Sequence, residues 1–445
     1  MYLSLSDWTS RKAQSPSGRA SVAFKASPTV IALGVVSMFT DISSESVAAI
    51  LPLYITGALG LSMVAYGLFE GMNQSVSALV RIAAGYTADR SNRPKPIAAA
   101  GYGLSMVARA GLLLVSSFAG ILAVVGLDRI GKGIRTAPRD AMIQQASQPE
   151  HLARSFGLHR LLDTVGATVG PLLAFVVLVL IPDGYRAVFV LSLAAAVLGV
   201  AVLALLVPNR RLHGVQAGDT EDSTTAGLAD DAEDFEQTNE AATEAAPQRP
   251  RVRMFTRGPV GRLLLTAGLL GVLTVGDGFI YLALMEHGQL QTQWFPLMFV
   301  GSNVVFLLLA VPLGRLADKT SRAGVFVLGH GALAAAYLCA GAWGSLPAIV
   351  LTLALLGTFY AATDGVLAAL AGQLSPEGAR STGIGAAQTV VAVARLIAST
   401  GFGLAWVLFG GGPSLLVAAL LLAALLPVAW VLLLRGRPVV AGTAL

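Results

Sequence analysis

The chain has 445 residues, of which 55% are hydrophobic and 12% are charged, and its mean hydropathy is +0.71. An ordinary soluble domain of this size has far more charge, so the composition excludes a soluble enzyme or binding domain and indicates an integral membrane protein. In a membrane protein, what matters about the formal net charge of +5 is the side of the bilayer on which the basic residues lie. The charge does not indicate a nucleic-acid partner. A single cysteine, Cys339, excludes an intrachain disulfide and a thiolate metal cluster.

In chain order, a polar tail (residues 1–29) precedes apolar segments of about 20 residues, the length that crosses a bilayer as a helix. We predict six spans in residues 30–207, at 30–57, 62–85, 97–117, 119–138, 157–181 and 185–207. Six more are predicted in residues 259–434, at 259–285, 294–316, 324–343, 347–372, 383–409 and 413–434, followed by a tail at 435–445. The predicted fold is an all-α membrane protein of 12 transmembrane helices in two pseudo-symmetric six-helix bundles.

Basic residues lie mainly in the loops that follow every second predicted span, for example Arg90, Arg154 and Lys319, whereas the opposite loops hold little beyond Arg186. This asymmetry predicts a multi-pass protein of the inner membrane with both termini in the cytoplasm. The segment 208–258 divides the halves. Between His213 and Gln248 it carries ten acidic residues and no basic one, which predicts a solvated cytoplasmic linker. The alternative is a segment that binds a partner through its acidic residues.

A short polar motif occurs twice, once in each predicted half. Its copies are GYTADRSNR at 85–93 and GRLADKTSR at 314–322, each between two apolar segments. Glycine allows close helix approach and aspartate accepts hydrogen bonds from neighbouring helix ends, so we interpret the motif as a cytoplasmic gate. Its residues are Gly85, Asp89, Arg90, Arg93, Gly314, Asp318 and Arg322. A second repeat, at 149–155 and 376–381, precedes the fifth span of each half, as expected of an internally duplicated transporter.

Charged and polar residues inside the predicted spans are costly in a bilayer, by about 2.5–3.5 kcal/mol each on insertion scales, so each needs a partner, a wet cavity or a function. We expect the deeper ones to line a cavity for substrate and for the coupling ion. They are Asp41, Glu45, Glu70, Asn73, Asp128, Arg129, Asp277, Tyr281 and Asp364. Those nearer the cytoplasmic ends are expected to form structural pairs, and Arg109 is expected to neutralise one of the acids. This second set is Arg81, Lys132, Arg135, His159, Arg160 and Asp163.

The residues quoted above resemble the major facilitator superfamily over all but the tail and the linker. The loop motif is similar to the family's signature after its second helix, and Arg129 with Gly133 is similar to its fourth-helix pattern. The fifth-helix antiporter pattern is met by Gly166, Gly170 and Pro171, which we take as a helix-packing motif, but it then departs at 172–174. The resemblance extends to a bacterial, probable-efflux subgroup, and it implies a monomeric proton-coupled exporter of a small organic compound.

Three classes of function stay open at this stage: a secondary transporter, a membrane-embedded enzyme, and a non-transporting sensor that signals through the linker. The enzyme is disfavoured because the sequence contains no HExxH, no Cys/His cluster and no GxSxG. No GxxxxGK(S/T) loop occurs, so transport energy is expected from an ion gradient, and no cofactor is expected. Protons fit the deep carboxylates best, with sodium coupling and uptake by symport as alternatives.

Asp41 and Glu45 lie one turn apart in the middle of the first span. Two ionised carboxylates at that separation repel, so the pair is expected to take up protons as a unit. No basic residue of the same span neutralises them. Asp128 is the competing proton carrier, but its neighbours Arg129 and Lys132 favour an ionised, structural carboxylate.

Overall fold

The computed structural model describes residues 27–89, 94–148, 151–209, 258–376 and 380–434. Outside these residues lie the two tails, the predicted linker from residue 210 and the motif residues Arg90 and Arg93. The surroundings of Gly85 and the side chain of Asp89 are also outside the described part. Within the described part, ten helices are long and apolar enough to cross a membrane. The chain is therefore an all-helical, multi-pass membrane protein.

The first group of helices runs from residue 28 to residue 206. Its members are α1 (Pro28–Ala48, continued by Leu51–Leu53 and a π-helical turn at Tyr54–Ala58), α2 (Met63–Asp89), α3 (Pro94–Leu114), α4 (Phe118–Gln145), α5 (Leu152–Leu180) and α6 (Tyr185–Leu206). The helices α2 and α4 are 27 and 28 residues long but more polar, and they are not among the ten apolar spans.

The second group runs from residue 258 to residue 434. Its members are α7 (in two parts, Gly258–Val272 and Asp277–Gly288), α8 (Phe295–Lys319, after a 3₁₀ turn at Thr292–Trp294), α9 (Arg322–Ala342), α10 (Leu346–Leu374), α11 (Arg380–Phe409) and α12 (Gly411–Leu434).

The predicted span at 259–285 corresponds to the apolar segment Gly258–Gly288, but its helix, α7, is interrupted at residues 273–276. A side chain from α9 takes the place of the missing helical partners. The Tyr337 hydroxyl accepts from the Val275 amide at 2.7 Å and donates to the Leu273 carbonyl at 3.1 Å. Gly276, in an extended conformation, then precedes the second part of the helix. The break places polar backbone in the middle of a span, which membrane proteins tolerate where the backbone is bonded to protein or lines a cavity.

The helix pairing of the first group recurs in the second. In the first group α1 packs on α5 and α6, α3 packs on α4 and α6, and α2 packs on α4; in the second, α7 packs on α11 and α12, α9 on α10 and α12, and α8 on α10. The groups meet through α2 against α11 and α5 against α8. Each pair in one group thus has a counterpart six helices away, which agrees with the internal duplication seen in the sequence.

Glycines allow the closest helix approaches. On α5, a Cβ at Gly166 would overlap the Met38 carbonyl oxygen of α1, and one at Gly170 would lie 2.9 Å from the Ile42 carbonyl oxygen. These two residues of the predicted fifth-helix motif therefore lie at the α1–α5 contact, where a larger side chain would separate the helices.

The two groups of helices are in contact near the end where the loops 59–62, 115–117, 181–184 and 343–345 lie; we call this end the short-loop face. On α11, a Cβ at Gly403 would overlap the Met63 carbonyl oxygen of α2, and Ser75 Oγ donates to the Ala392 carbonyl at 2.7 Å. Next to this seam an aromatic plug forms from Tyr66, Phe279, Phe402 and Trp406, with successive ring centroids 4.7–6.0 Å apart.

Candidate functional site

Asp128 forms the centre of a buried ion network in the first group. Its Oδ2 accepts from Arg109 Nη2 at 2.8 Å and from Arg129 Nη2 at 2.7 Å, and the Asp128 and Arg109 side chains are 2% and 3% exposed. Arg109 also donates to Ser44 Oγ at 3.3 Å. The expectation that Arg109 neutralises one of the acids is thus met at Asp128. With two guanidinium partners, this carboxylate is held as a structural anion.

Asp41 and Glu45 lie half-buried on α1, the element that packs on α5 and α6. Lys132 and Arg135 of α4 and Asp163 of α5 act electrostatically on Asp41, and Lys132 is the strongest basic influence on Glu45, followed by Arg129 and Arg109. The sequence predicts a structural pair for Lys132 near a helix end, whereas in the structure its charge acts on the helix 1 carboxylates. Spacing within one helix could not show this, because the interaction runs between helices.

Glu70 and Asp277 come together across the seam between the two groups. A Cβ at Gly276 would lie 2.6 Å from Glu70 Cγ and 3.0 Å from Glu70 Oε1, so the Glu70 carboxylate rests against the break in α7. Asp277 is the next residue along the chain, and each carboxylate is an electrostatic neighbour of Arg395 on α11. Both side chains are half-buried, Glu70 within α2 and Asp277 at the start of the second part of α7.

The two carboxylates are held by neutral donors. Gln74 Nε2 donates to Glu70 Oε1 at 3.1 Å, and the Tyr360 hydroxyl donates to Asp277 Oδ1 at 2.5 Å. Gln74, on the same polar face of α2 as Glu70, and Tyr360 of α10 thus belong to the site. The signal available in the sequence was the i, i+4 spacing of Glu70 and Gln74; nothing in it pointed to Tyr360.

The remaining predicted cavity residues lie in different surroundings. Asp364 of α10 is exposed and has Arg395 of its own group and Arg160 of the other group as neighbours, so it faces the space between the groups. Asn73 is half-buried on α2. Tyr281 is fully buried between α7 and α8, with its hydroxyl 2.6 Å from Ser302 Oγ. Of these three, Asp364 contributes charge to the space between the groups.

Of the second set of predicted charges, Arg160, Asp163, Arg135 and His159 make local contacts, whereas the side chain of Arg81 lies outside the described residues. Arg160 Nη1 lies 3.5 Å from Asp163 Oδ2, and the Arg135 guanidinium lies 4.7 Å from the centre of the Tyr102 ring. His159 Nε2 is 3.5 Å from Ser37 Oγ. These contacts join α1, α3, α4 and α5, so they support the packing of the first group.

The second copy of the loop motif is present in the described structure. Asp318, at the end of α8, accepts from Arg322 Nη2 at 2.7 Å, and Arg322 Nη1 donates to Gln373 of α10 at 3.4 Å. Ser321 caps α9 by accepting from the Gly324 amide at 3.2 Å. The motif therefore joins the ends of α8, α9 and α10. A Cβ atom added to Gly314 would have no other atom within 4 Å, so this glycine does not lie at a close helix contact in this conformation.

No set of three His, Cys, Asp or Glu side chains that could hold a metal ion occurs among the residues that the structure describes. The central groups are carboxylates, guanidiniums, one lysine and hydroxyls. Such groups can exchange protons and bind a charged or polar solute, and they do not include the convergent nucleophile and base of a hydrolase.

Comparisons with known proteins agree with this geometry. The family model described as Major Facilitator Superfamily matches residues 32–296. An uncharacterized MFS-type transporter from Methanocaldococcus jannaschii is 28% identical over 385 residues, covering 85% of this chain and 89% of that protein.

Solved structures share the fold at low identity. The nucleoside transporter NupG superposes with a TM-score of 0.70 at 11% identity, covering 91% of this chain and 98% of that one. A bacterial homolog of the human lysosomal transporter Spinster, in an inward-facing and unoccupied conformation, gives 0.68 at 18% identity, covering 93% and 98%. A POT family transporter in complex with 5-aminolevulinic acid gives 0.72 at 12% identity, covering 94% and 98%.

Proposed function

The chain belongs to the Major Facilitator Superfamily, and from that premise we propose that it is a secondary active transporter that exchanges protons for a small organic compound by alternating access. Membership of this family makes the chain a membrane transporter and not an enzyme. Proton coupling and the export direction are the parts that we propose.

The observation that carries the proton coupling is the surroundings of the helix 1 pair. Asp41 and Glu45 are half-buried, they lie one turn apart, and Lys132 and Asp163 are close to Asp41 from two other helices. A mixed group of acids and one lysine can lose or gain a proton at small cost, because each change of charge is shared among several neighbours. Asp128, by contrast, is held by two arginines. We therefore assign the proton to the helix 1 pair.

The proposed architecture is two six-helix bundles, at 30–207 and 259–434, that rock about the α2–α11 and α5–α8 seams. In this scheme the predicted linker at 208–258 is a flexible cytoplasmic connection, and the short-loop face is outside the cell because the basic loops lie at the opposite end. Because the two groups are in contact at the short-loop face, the extracellular side is closed in this scheme, and the conformation is inward-facing. We place the protein in the inner membrane as a monomer with both termini in the cytoplasm.

The proposed gate is the duplicated loop motif. The Asp318–Arg322–Gln373 contacts support a role in fixing the cytoplasmic ends of α8, α9 and α10 relative to one another. Gly85, Asp89, Arg90 and Arg93 would do the same in the first bundle, with the two copies closing the cytoplasmic side when the transporter faces outward.

The test of coupling uses purified protein in liposomes with an imposed pH gradient. Asp41→Asn and Glu45→Gln, made singly, are expected to abolish uphill transport in at least one case, while solute exchange at equal concentrations on both sides persists. Glu286→Gln is the matched control, since Glu286 is an exposed acid near the short-loop face. Uphill transport with unchanged pH dependence in both variants would contradict the assignment and favour Asp128 or Glu70.

Uptake by proton symport is the second candidate, because the same carboxylates serve either direction and the fifth-helix antiporter pattern is incomplete. Direction is tested by comparing right-side-out and inside-out vesicles under the same gradient. Replacing the proton gradient with a sodium gradient separates the two possible coupling ions.

A further inference from the structure

The break in α7 is the place where the two groups of helices present opposing carboxylates. Glu70 from α2 lies against Gly276, and Asp277 starts the second part of α7. From this juxtaposition we infer that Glu70, Asp277 and Tyr66 bind the ammonium group of a protonated amine, which makes the transported compound a small organic cation. The inference rests on the proposed transport function and names the substrate class of that function.

Neither carboxylate at the break forms an ion pair with a protein cation. In the described part of the chain the ion pairs involve Asp128, Asp140, Asp163 and Asp318, and neither Glu70 nor Asp277 is among them. Their hydrogen bonds come from the neutral donors Gln74 and Tyr360. Carboxylates in a membrane interior without a paired protein cation need protonation, water or a cationic ligand.

A buried hydroxyl without a well-formed hydrogen bond lies at the same point. Tyr66 is 0% exposed, and its hydroxyl makes no hydrogen bond of good geometry with the residues that the structure describes. That hydroxyl lies where a Cβ at Gly278 would overlap it, and Glu70 and Asp277 are its nearest charged neighbours. The hydroxyl lies beside the Glu70 carboxylate, to which it can donate, so its oxygen is free to accept from an ammonium group. The phenol oxygen is thus a further acceptor next to the two carboxylates.

The charge balance of the surrounding space also favours a cation. Glu70, Asp277 and Asp364 are neighbours of Arg395, which is shared among the three. Two other guanidiniums also act on these acids: Arg129, which shares Asp128 with Arg109, and Arg160, which lies 3.5 Å from Asp163. At the break itself the two carboxylates Glu70 and Asp277 outnumber the single guanidinium of Arg395, which favours a cation over an anion of the same size.

The chemistry of an ammonium group matches the acceptors that this site offers. Its three N–H donors match in number the acceptors that Glu70, Asp277 and Tyr66 offer. The ring of Tyr66 packs edge-on against Phe279 at 4.7 Å, and Phe279 continues the aromatic plug to Phe402. Aromatic faces beside a carboxylate pair add cation–π attraction and contact for an apolar substituent. The expected ligand is therefore an amine with an apolar body.

The test measures binding to the purified full-length protein in lipid nanodiscs, with three probes of similar shape. Phenethylamine is cationic at pH 7, phenethyl alcohol is neutral and hydrocinnamate is anionic; n-butylamine, butanol and butyrate form a second, smaller set. We expect the amines to raise the thermal unfolding temperature and the other probes to leave it unchanged. Glu70→Gln and Asp277→Asn should each weaken amine binding by about tenfold or more, as loss of a buried charged partner does.

Controls separate this result from folding defects and from the transport proposal. Glu286→Gln removes an exposed acid from the same part of α7 and should bind amines normally. Binding of a neutral or anionic probe, amine binding that survives both substitutions, absence of binding by either amine, or stabilisation by sodium chloride over choline chloride would each overturn the inference. Amine binding that depends on Glu70 and Asp277 but moves no protons in liposomes would uphold this site and contradict the proton coupling.

Discussion

The two groups of helices share one pairing pattern but satisfy their buried charges differently. In the first group Asp128 is bonded to Arg109 and Arg129, and Lys132 lies opposite the helix 1 acids. In the second group Asp277 is bonded to a tyrosine, and Arg395 is shared between two aspartates. A duplicated fold therefore keeps its helix contacts while its charges diverge. This contrast agrees with our proposals that the helix 1 pair of the first group carries the proton and that the seam with the second group binds the solute.

The largest effect is expected from breaking the charge balance of the first group. Arg109→Met leaves Asp128 buried with one of its two guanidinium partners removed. Breaking a buried ion pair destabilises a protein by about 3–5 kcal/mol, so we expect poor expression and a much lower thermal unfolding temperature. Arg186→Met, at an exposed position of α6, is the matched control and should unfold like the parent protein. Wild-type stability of Arg109→Met would show that Arg129 alone satisfies Asp128.

A second variant pair tests the seam through which the halves meet. Gly403→Leu should force α11 away from the Met63 carbonyl of α2, whereas Gly401 has open space at its Cβ position. We expect Gly403→Leu to abolish transport while the protein still folds, because the helix contacts within each group are unchanged, and Gly401→Leu to transport normally. The check is transport together with the reactivity of a cysteine introduced in the loop 59–62. Unchanged labelling in Gly403→Leu would mean that the seam does not control closure.

The contrast between the groups also shows how far the sequence alone could lead. The apolar segments, the duplicated motifs and the Arg109 pairing followed from hydropathy, repetition and the cost of isolated charge. The break in α7 did not, because it depends on Tyr337, whose hydroxyl bonds Val275 and Leu273 from another helix. The meeting of Glu70 with Gly276, and of Lys132 with Asp41, is likewise set by which helices face each other. Spacing within a helix identifies a polar face but not its partner.

A smaller, asymmetric effect is expected at the two motif copies. Asp318 is half exposed and its pair with Arg322 is i, i+4, so losing it costs at most about 1 kcal/mol of stability. We expect Asp318→Asn to slow transport moderately without changing the unfolding temperature. Asp89→Asn, in the copy whose aspartate is followed directly by an arginine instead of a lysine, should impair transport more severely. Equal defects in the two variants would show that the copies act as one symmetric gate.

The smallest effect is expected from shortening the connection between the groups. Residues 215–247 are acidic and poor in apolar residues, a composition that predicts a solvated linker. Deleting them while keeping about a dozen flexible residues should leave transport and pH dependence unchanged, because the closure entropy of a loop varies only slowly with its length. A scrambled linker of equal composition serves as the control. The opposite result would be a deletion variant that inserts into the membrane but does not transport, and that regains transport with the natural linker sequence but not with the scrambled one. That result would indicate that the linker binds a partner and that the protein acts as a sensor.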